Sequence, residues 1–100
     1  MTAQNRLLSG VITIATAGTA QQGSDIAAWV PAIEGGGFFI RGLSANTGVV
    51  YVGNDGAGDV SSSNGYSLAA GAQIFVTCNN LNELWFDAAT NGDKVCWLKA

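Results

Sequence analysis

The chain has no histidine. That removes the usual base of serine and cysteine nucleophilic systems and the commonest zinc ligand, so classical hydrolase chemistry is not expected. Basic residues are scarce: Arg6, Arg41, Lys94 and Lys99 stand against seven carboxylates, for a net charge of −3. No basic stripe can form to neutralise phosphates, and nucleic acid is not an expected partner. Charges of both signs make up 11% of the residues, well below the roughly one quarter usual in soluble domains. Apolar runs such as Ile74-Phe75-Val76 fall far short of the roughly eighteen residues that cross a bilayer, so no membrane partner is expected. The opening Met1-Thr2-Ala3-Gln4-Asn5-Arg6 lacks a basic segment followed by a long apolar one. A secretory signal is therefore not expected, and the protein is expected to be made in the cytoplasm. Two cysteines, Cys78 and Cys96, are too few for a disulfide scaffold and are expected as buried core thiols. Helix signals are nearly missing too. No apolar i, i+3, i+4 series outlasts one turn, and 14 glycines break most candidate windows.

What is present is apolar and β-favouring. Apolar residues form 48% of the chain; with so few charges to cover the outside, part of that surface is expected to be sealed by copies of the chain or by another protein. A chain of 100 residues is expected to form one domain, burying roughly two-thirds of its unfolded surface. Runs rich in Val, Ile, Phe, Tyr and Trp alternate with Gly, Asn, Asp and Ser. They predict strands at about 7–16, 26–33, 38–44, 48–53, 66–69, 73–78, 83–88 and 94–99. The expected fold is all-β: a β-sandwich or small barrel of about eight short antiparallel strands, jelly-roll or immunoglobulin-like. Residues 1–6 are expected as a polar N-terminal arm. Pro31, the single proline, suggests an edge or a strand end in the second run.

The sharpest local signal is Asn91-Gly92, which suits the positive φ angles of a two-residue type I′ hairpin. That register sets Ala88 against Val95, Phe86 against Trp97 and Leu84 against Lys99 on one side, the expected core. The other side carries Glu83, Trp85 and Asp87 opposite Leu98 and Cys96. Trp85 and Leu98 together point to a second buried surface, formed by the other sheet or by a neighbouring subunit. Phe38-Phe39-Ile40-Arg41 places aromatics on both faces of one strand, so one of those faces is core and the other is either core or interface.

The remaining motifs have plain readings. Asn54-Asp55-Gly56-Ala57-Gly58-Asp59 invites comparison with a calcium loop, but aligning Gly56 with the glycine of an EF-hand puts Tyr51 and Gly53 where ligands belong. A turn with solvated aspartates is the better description. The glycines lack the Gly-Lys-Ser/Thr ending of a phosphate cradle, and Gly35-Gly36-Gly37 reads as a flexible connection. Most carboxylates sit in loop-like sequence beside Gly, Asn or Ser, a poor setting for an acid–base pair. Neither enzyme activity nor a cofactor is expected. Trp29, Trp85 and Trp97 keep an aromatic carbohydrate-binding platform open.

Four segments in order have a familiar look: Thr16-Ala17-Gly18-Thr19-Ala20, then Asn46-Thr47-Gly48-Val49-Val50-Tyr51-Val52-Gly53. Ser62-Ser63-Asn64-Gly65-Tyr66-Ser67-Leu68 with Gly71 follows, and Leu84-Trp85-Phe86-Asp87-Ala88-Ala89-Thr90-Asn91-Gly92-Asp93-Lys94-Val95 closes the series. Together they resemble small virion proteins of tailed bacteriophages, the capsid decoration, cement or head-fibre proteins encoded with the head genes. The resemblance implies a small β module bound to the outside of the capsid, with the major capsid protein as partner and a homotrimer as assembly. It carries over no binding residues, because the shared segments are turns and strands. Trp85, Leu98, Phe39 and Trp29 are the residues expected at a subunit or capsid interface. A tail or fibre component and a carbohydrate-binding module are the alternatives.

Overall fold

The computed structural model describes residues 8–24, 26, 36–54, 60 and 64–99. Within them are eight strands: β1 Leu8–Thr13, β2 Gln21–Gln22, β3 Gly37–Gly42, β4 Val50–Gly53, β5 Tyr66–Leu68, β6 Gln73–Thr77, β7 Trp85–Ala88 and β8 Lys94–Lys99. They form two four-stranded antiparallel sheets, a front sheet in the order β1-β8-β3-β6 and a back sheet in the order β2-β7-β4-β5. The pairs β1–β8, β2–β7, β3–β6 and β4–β5 are those of one long hairpin whose tip lies between β4 and β5. Wrapping that hairpin so that β8 meets β3 and β7 meets β4 closes the two sheets. The result is the jelly-roll form of the sandwich.

The period-2 alternation of each strand fills the space between the sheets. Phe38, Ile40, Val95 and Trp97 enter from the front sheet and Val50, Val52, Leu68, Phe86 and Ala88 from the back; Ile14, Ile26, Leu81 and Leu84 complete the core. Phe38 meets the Trp97 indole edge-on with ring centroids 5.9 Å apart. Gly10 is the register partner of Trp97, and a Cβ there would stand 2.8 Å from the indole, so the glycine lets the ring lie across β1. Lys99 also points inward. It is 3% exposed, with its ammonium 5.4 Å from the Phe38 ring centroid in a cation–π contact.

The expected β7–β8 hairpin does not form. The core side read from the Asn91-Gly92 register is nevertheless the observed one: Leu84, Phe86, Ala88, Val95, Trp97 and Lys99 are all buried. The two strands lie in opposite sheets, each pointing the same alternate residues at the shared core. The turn between them closes with the Asp93 amide donating to the Thr90 carbonyl at 3.2 Å. Within this turn only Gly92 has positive φ, +85°, since no non-glycine residue among those described does, whereas a type I′ turn needs two.

A polar clamp holds this crossing. The Asp93 carboxylate accepts the Thr47 amide at 3.0 Å and the Gly48 amide at 2.8 Å, fastening the β3–β4 corner to the turn. Asn46 reinforces it, accepting from the Lys94 amide at 2.8 Å and donating to the Lys94 carbonyl at 2.7 Å. At another corner a single 3-10 turn, Leu81–Glu83, carries a capping box made by Asn80 and Glu83. Gly23 passes so close to it that a Cβ would stand 2.3 Å from the Leu81 carbonyl oxygen.

Of the expected strand at 26–33, only Ile26 is described; it is buried and outside any strand. The remainder of that run, with Trp29 and Pro31, lies outside the described residues, as do the 1–6 arm and Asp55–Asp59 of the proposed turn. β2 was not expected, since Gln21-Gln22 carries no apolar alternation; its place is set by pairing with Phe86 and Trp85.

Candidate docking face

The two sheets treat their outer faces differently. On the back sheet, Tyr51 and Asp87 point outward between core-facing neighbours, yet are only 8% and 2% exposed. The β1–β2 connection lies against this side: the Gly18 amide donates to Asp87 Oδ1 at 2.9 Å and the Ala17 amide to Asn91 Oδ1 at 2.7 Å. Asp87 Oδ1 also accepts from the Ala88 amide at 2.8 Å. The back-sheet edges, β2 and β5, are two and three residues long, a common way of blunting an edge.

The front sheet is more open. Its edges, β1 and β6, run for six and five residues without a charge or a proline. Alternation aims Ser9 and Val11, Cys96 and Leu98, Phe39 and Arg41, and Gln73 and Phe75 outward, and the register lines them up in two rows. One row runs Ser9–Leu98–Phe39–Phe75 and the next Val11–Cys96–Arg41–Gln73. Phe39 and Phe75 pack with centroids 4.9 Å apart. Val11 and Phe75 remain 55% and 46% exposed, unusual for large apolar side chains on adjoining rows of one face. A groove of about 420 Å³ crosses the face, lined among others by Val11, Phe39, Arg41, Leu43, Cys96 and Leu98.

The interface residues named from sequence divide. Phe39 and Leu98 are direct register partners on this face. Trp85 is not with them: it pairs with Gln22 and Gly53 on the back sheet, because β7 and β8 belong to different sheets, so Trp85 and Leu98 form no joint surface. Trp29 lies outside the described residues. Sequence reasoning missed Val11, Phe75 and Arg41 as members of the face. Phe75 had a usable signal, since it is the odd member between Ile74 and Val76, which pack against the core. Which strand lay beside it had none.

The cysteines also divide. Both are free thiols and both are half-buried. Cys78 packs against the core, and burial, with the nearby Glu83 charge adding to it, pushes its thiol above the ordinary value. Cys96, expected in the core, instead stands on the outer face, because β8 turns Val95 and Trp97 inward; its Sγ donates to the Arg41 carbonyl at 3.5 Å.

Among the described residues no three His, Cys, Asp or Glu side chains gather as metal ligands, and no helix is long and apolar enough to cross a membrane. Trp85 and Trp97 cannot make one platform, since Trp97 faces the core and Trp85 the far side of the other sheet. What the front face offers chemically is adhesion: aromatic and aliphatic area on a hydrogen-bonded sheet, with a guanidinium in its midst. Comparison with known protein families, curated proteins and solved structures finds no match to this chain.

Proposed function

We propose that this chain is a structural virion protein that binds the outside of a tailed-phage capsid and stabilises it, acting as a homotrimer with the major capsid protein as its partner and without a cofactor or catalytic step. The observation that carries the adhesive part of this reading is the open front face, where Val11, Phe39, Phe75 and Leu98 share two adjoining rows on one sheet. The sequence resemblance supplies the place of work. A protein of this kind needs a rigid body and a face whose modest contacts are multiplied by symmetry. The jelly roll provides the first and the front sheet the second.

The test uses heads of the phage that carries the gene, prepared without this protein. Purified chain added to them should co-sediment to a saturating, symmetry-related stoichiometry and raise their calorimetric disruption temperature. Heads that neither take up the chain at concentrations well above micromolar nor change their disruption temperature would refute the reading. A tail component would give that negative result.

A further inference from the structure

Charge is distributed unevenly between the two sheets. The four front strands hold Arg41, Lys94 and Lys99, three of the chain's four cations, and none of its seven carboxylates. Lys99 is turned into the core, but Arg41 is exposed on the outer face. Its register partners there are neutral, Cys96 on one side and Gln73 on the other. Lys94 projects to the same side of β8, two residues before Cys96 and so diagonal to Arg41. Its ammonium donates to the Gly92 carbonyl at 3.3 Å. Among the described residues no carboxylate pairs with Arg41. The groove therefore brings Leu98 and Phe39 together with Arg41, while Phe75 extends the apolar row beyond it and Lys94 lies on the same face, diagonal to Arg41.

We propose that the occupant of this groove is an acidic polypeptide surface of another protein, which seats an apolar side chain on Phe39 and Leu98 and a carboxylate on Arg41. The proposal depends on the attachment reading only for the identity of that protein. The planar guanidinium suits a carboxylate received through two parallel hydrogen bonds, and the apolar row beside it lowers the local dielectric and strengthens them. A same-face dimer fits poorly. A two-fold contact repeats one patch on both sides, so it would bring two sets of Arg41 and Lys94 into one interface to which the front strands contribute no carboxylate. Nucleic acid fits poorly as well, since two outward cations on a chain of net charge −3 cannot follow a phosphate backbone.

The test has a partner-free arm and a particle arm. In the first, the nitrogen-15-labelled chain is titrated with the capped peptide Glu-Phe-Glu-Leu-Glu and, separately, with Lys-Phe-Lys-Leu-Lys, following amide shifts by NMR. The acidic peptide should shift the amides of Phe39, Arg41, Cys96 and Leu98 and the basic one should not. Arg41→Gln, an exposed change that leaves the fold intact, should weaken the acidic peptide about tenfold. In the second arm the same variant should weaken attachment to phage heads by a similar factor, and added salt should weaken wild-type attachment.

Equal shifts from both peptides, no shift at millimolar peptide, or undiminished binding by Arg41→Gln would overturn the proposal. So would sedimentation showing the chain self-associating through this face, since a second copy would then be the occupant. Peptide binding without head attachment would keep the acidic-partner inference and refute the virion reading. Head attachment indifferent to Arg41→Gln would do the reverse.

Discussion

Replacing Asp93 with alanine tests the crossing between the sheets. Its carboxylate receives the Thr47 and Gly48 amides at 3.0 and 2.8 Å and is 6% exposed. A hydrogen bond to a charged group contributes about 1.5 kcal/mol or more, so losing two should cost about 3 kcal/mol. For a domain of this size that corresponds to a melting temperature lower by roughly 12 °C or more. Asp93→Asn keeps one acceptor oxygen and should cost about half as much. In a simple β7–β8 hairpin Asp93 would sit beside the loop opposite Thr90, in water, and its removal would shift stability by no more than about 0.5 kcal/mol. Urea unfolding monitored by tryptophan fluorescence separates the two cases. A loss under about 0.5 kcal/mol for Asp93→Ala, with an unchanged m-value, would refute the clamp and with it the cross-sheet turn.

Gly23→Ala should cost about 2 to 3 kcal/mol, because its Cβ would stand 2.3 Å from the Leu81 carbonyl oxygen. Gly71→Ala, at φ +84° with nothing nearby, should cost only the left-handed backbone penalty of about 1 kcal/mol; equal losses in denaturant titrations would contradict the close approach. Phe86, fully buried, should lose about 3 to 5 kcal/mol on change to alanine. Phe75→Ala should leave stability within about 0.5 kcal/mol while weakening head attachment, and the opposite ranking would reverse the assignment of core and face. The raised Cys78 thiol should alkylate with iodoacetamide more slowly than an ordinary thiol until the pH rises above the usual value of 9.0. Because its folded pKa lies above its unfolded one, its contribution to stability is complete below the unfolded value and is lost as pH rises through the folded one. Wild-type stability should therefore decline at alkaline pH more steeply than that of Cys78→Ala, and parallel declines would disprove the shift.

The fold class was legible because alternation is local. Leu84, Phe86 and Ala88, and then Val95, Trp97 and Lys99, declare their buried side within a few residues, and that side is correct even though the pairing inferred from it is not. Parity survives because β7 and β8 face each other across the core, whereas pairing depends on distant strands: Trp97 lies beside Gly10 and Ile40, some 87 and 57 positions away in the chain. The Asn91-Gly92 signal misled because one positive φ suffices for a turn that changes sheets, and what directs it there is the Asp93 contact with Thr47 and Gly48. The outer face of the front sheet was half legible for the same reason. Phe39 and Leu98 were each identifiable as outward apolar residues, but their adjacency, the absence of Trp85 from that face and the neutral register partners of Arg41 all follow from sheet order.

Hydrogen–deuterium exchange on the chain, free and bound to phage heads, tests the docking face most directly. Binding should slow exchange in segments spanning Phe38–Arg41 and Val95–Leu98 and leave Tyr66–Leu68 and Trp85–Ala88 unchanged. Protection confined to the back-sheet segments, with the front sheet exchanging as in the free chain, would contradict the account.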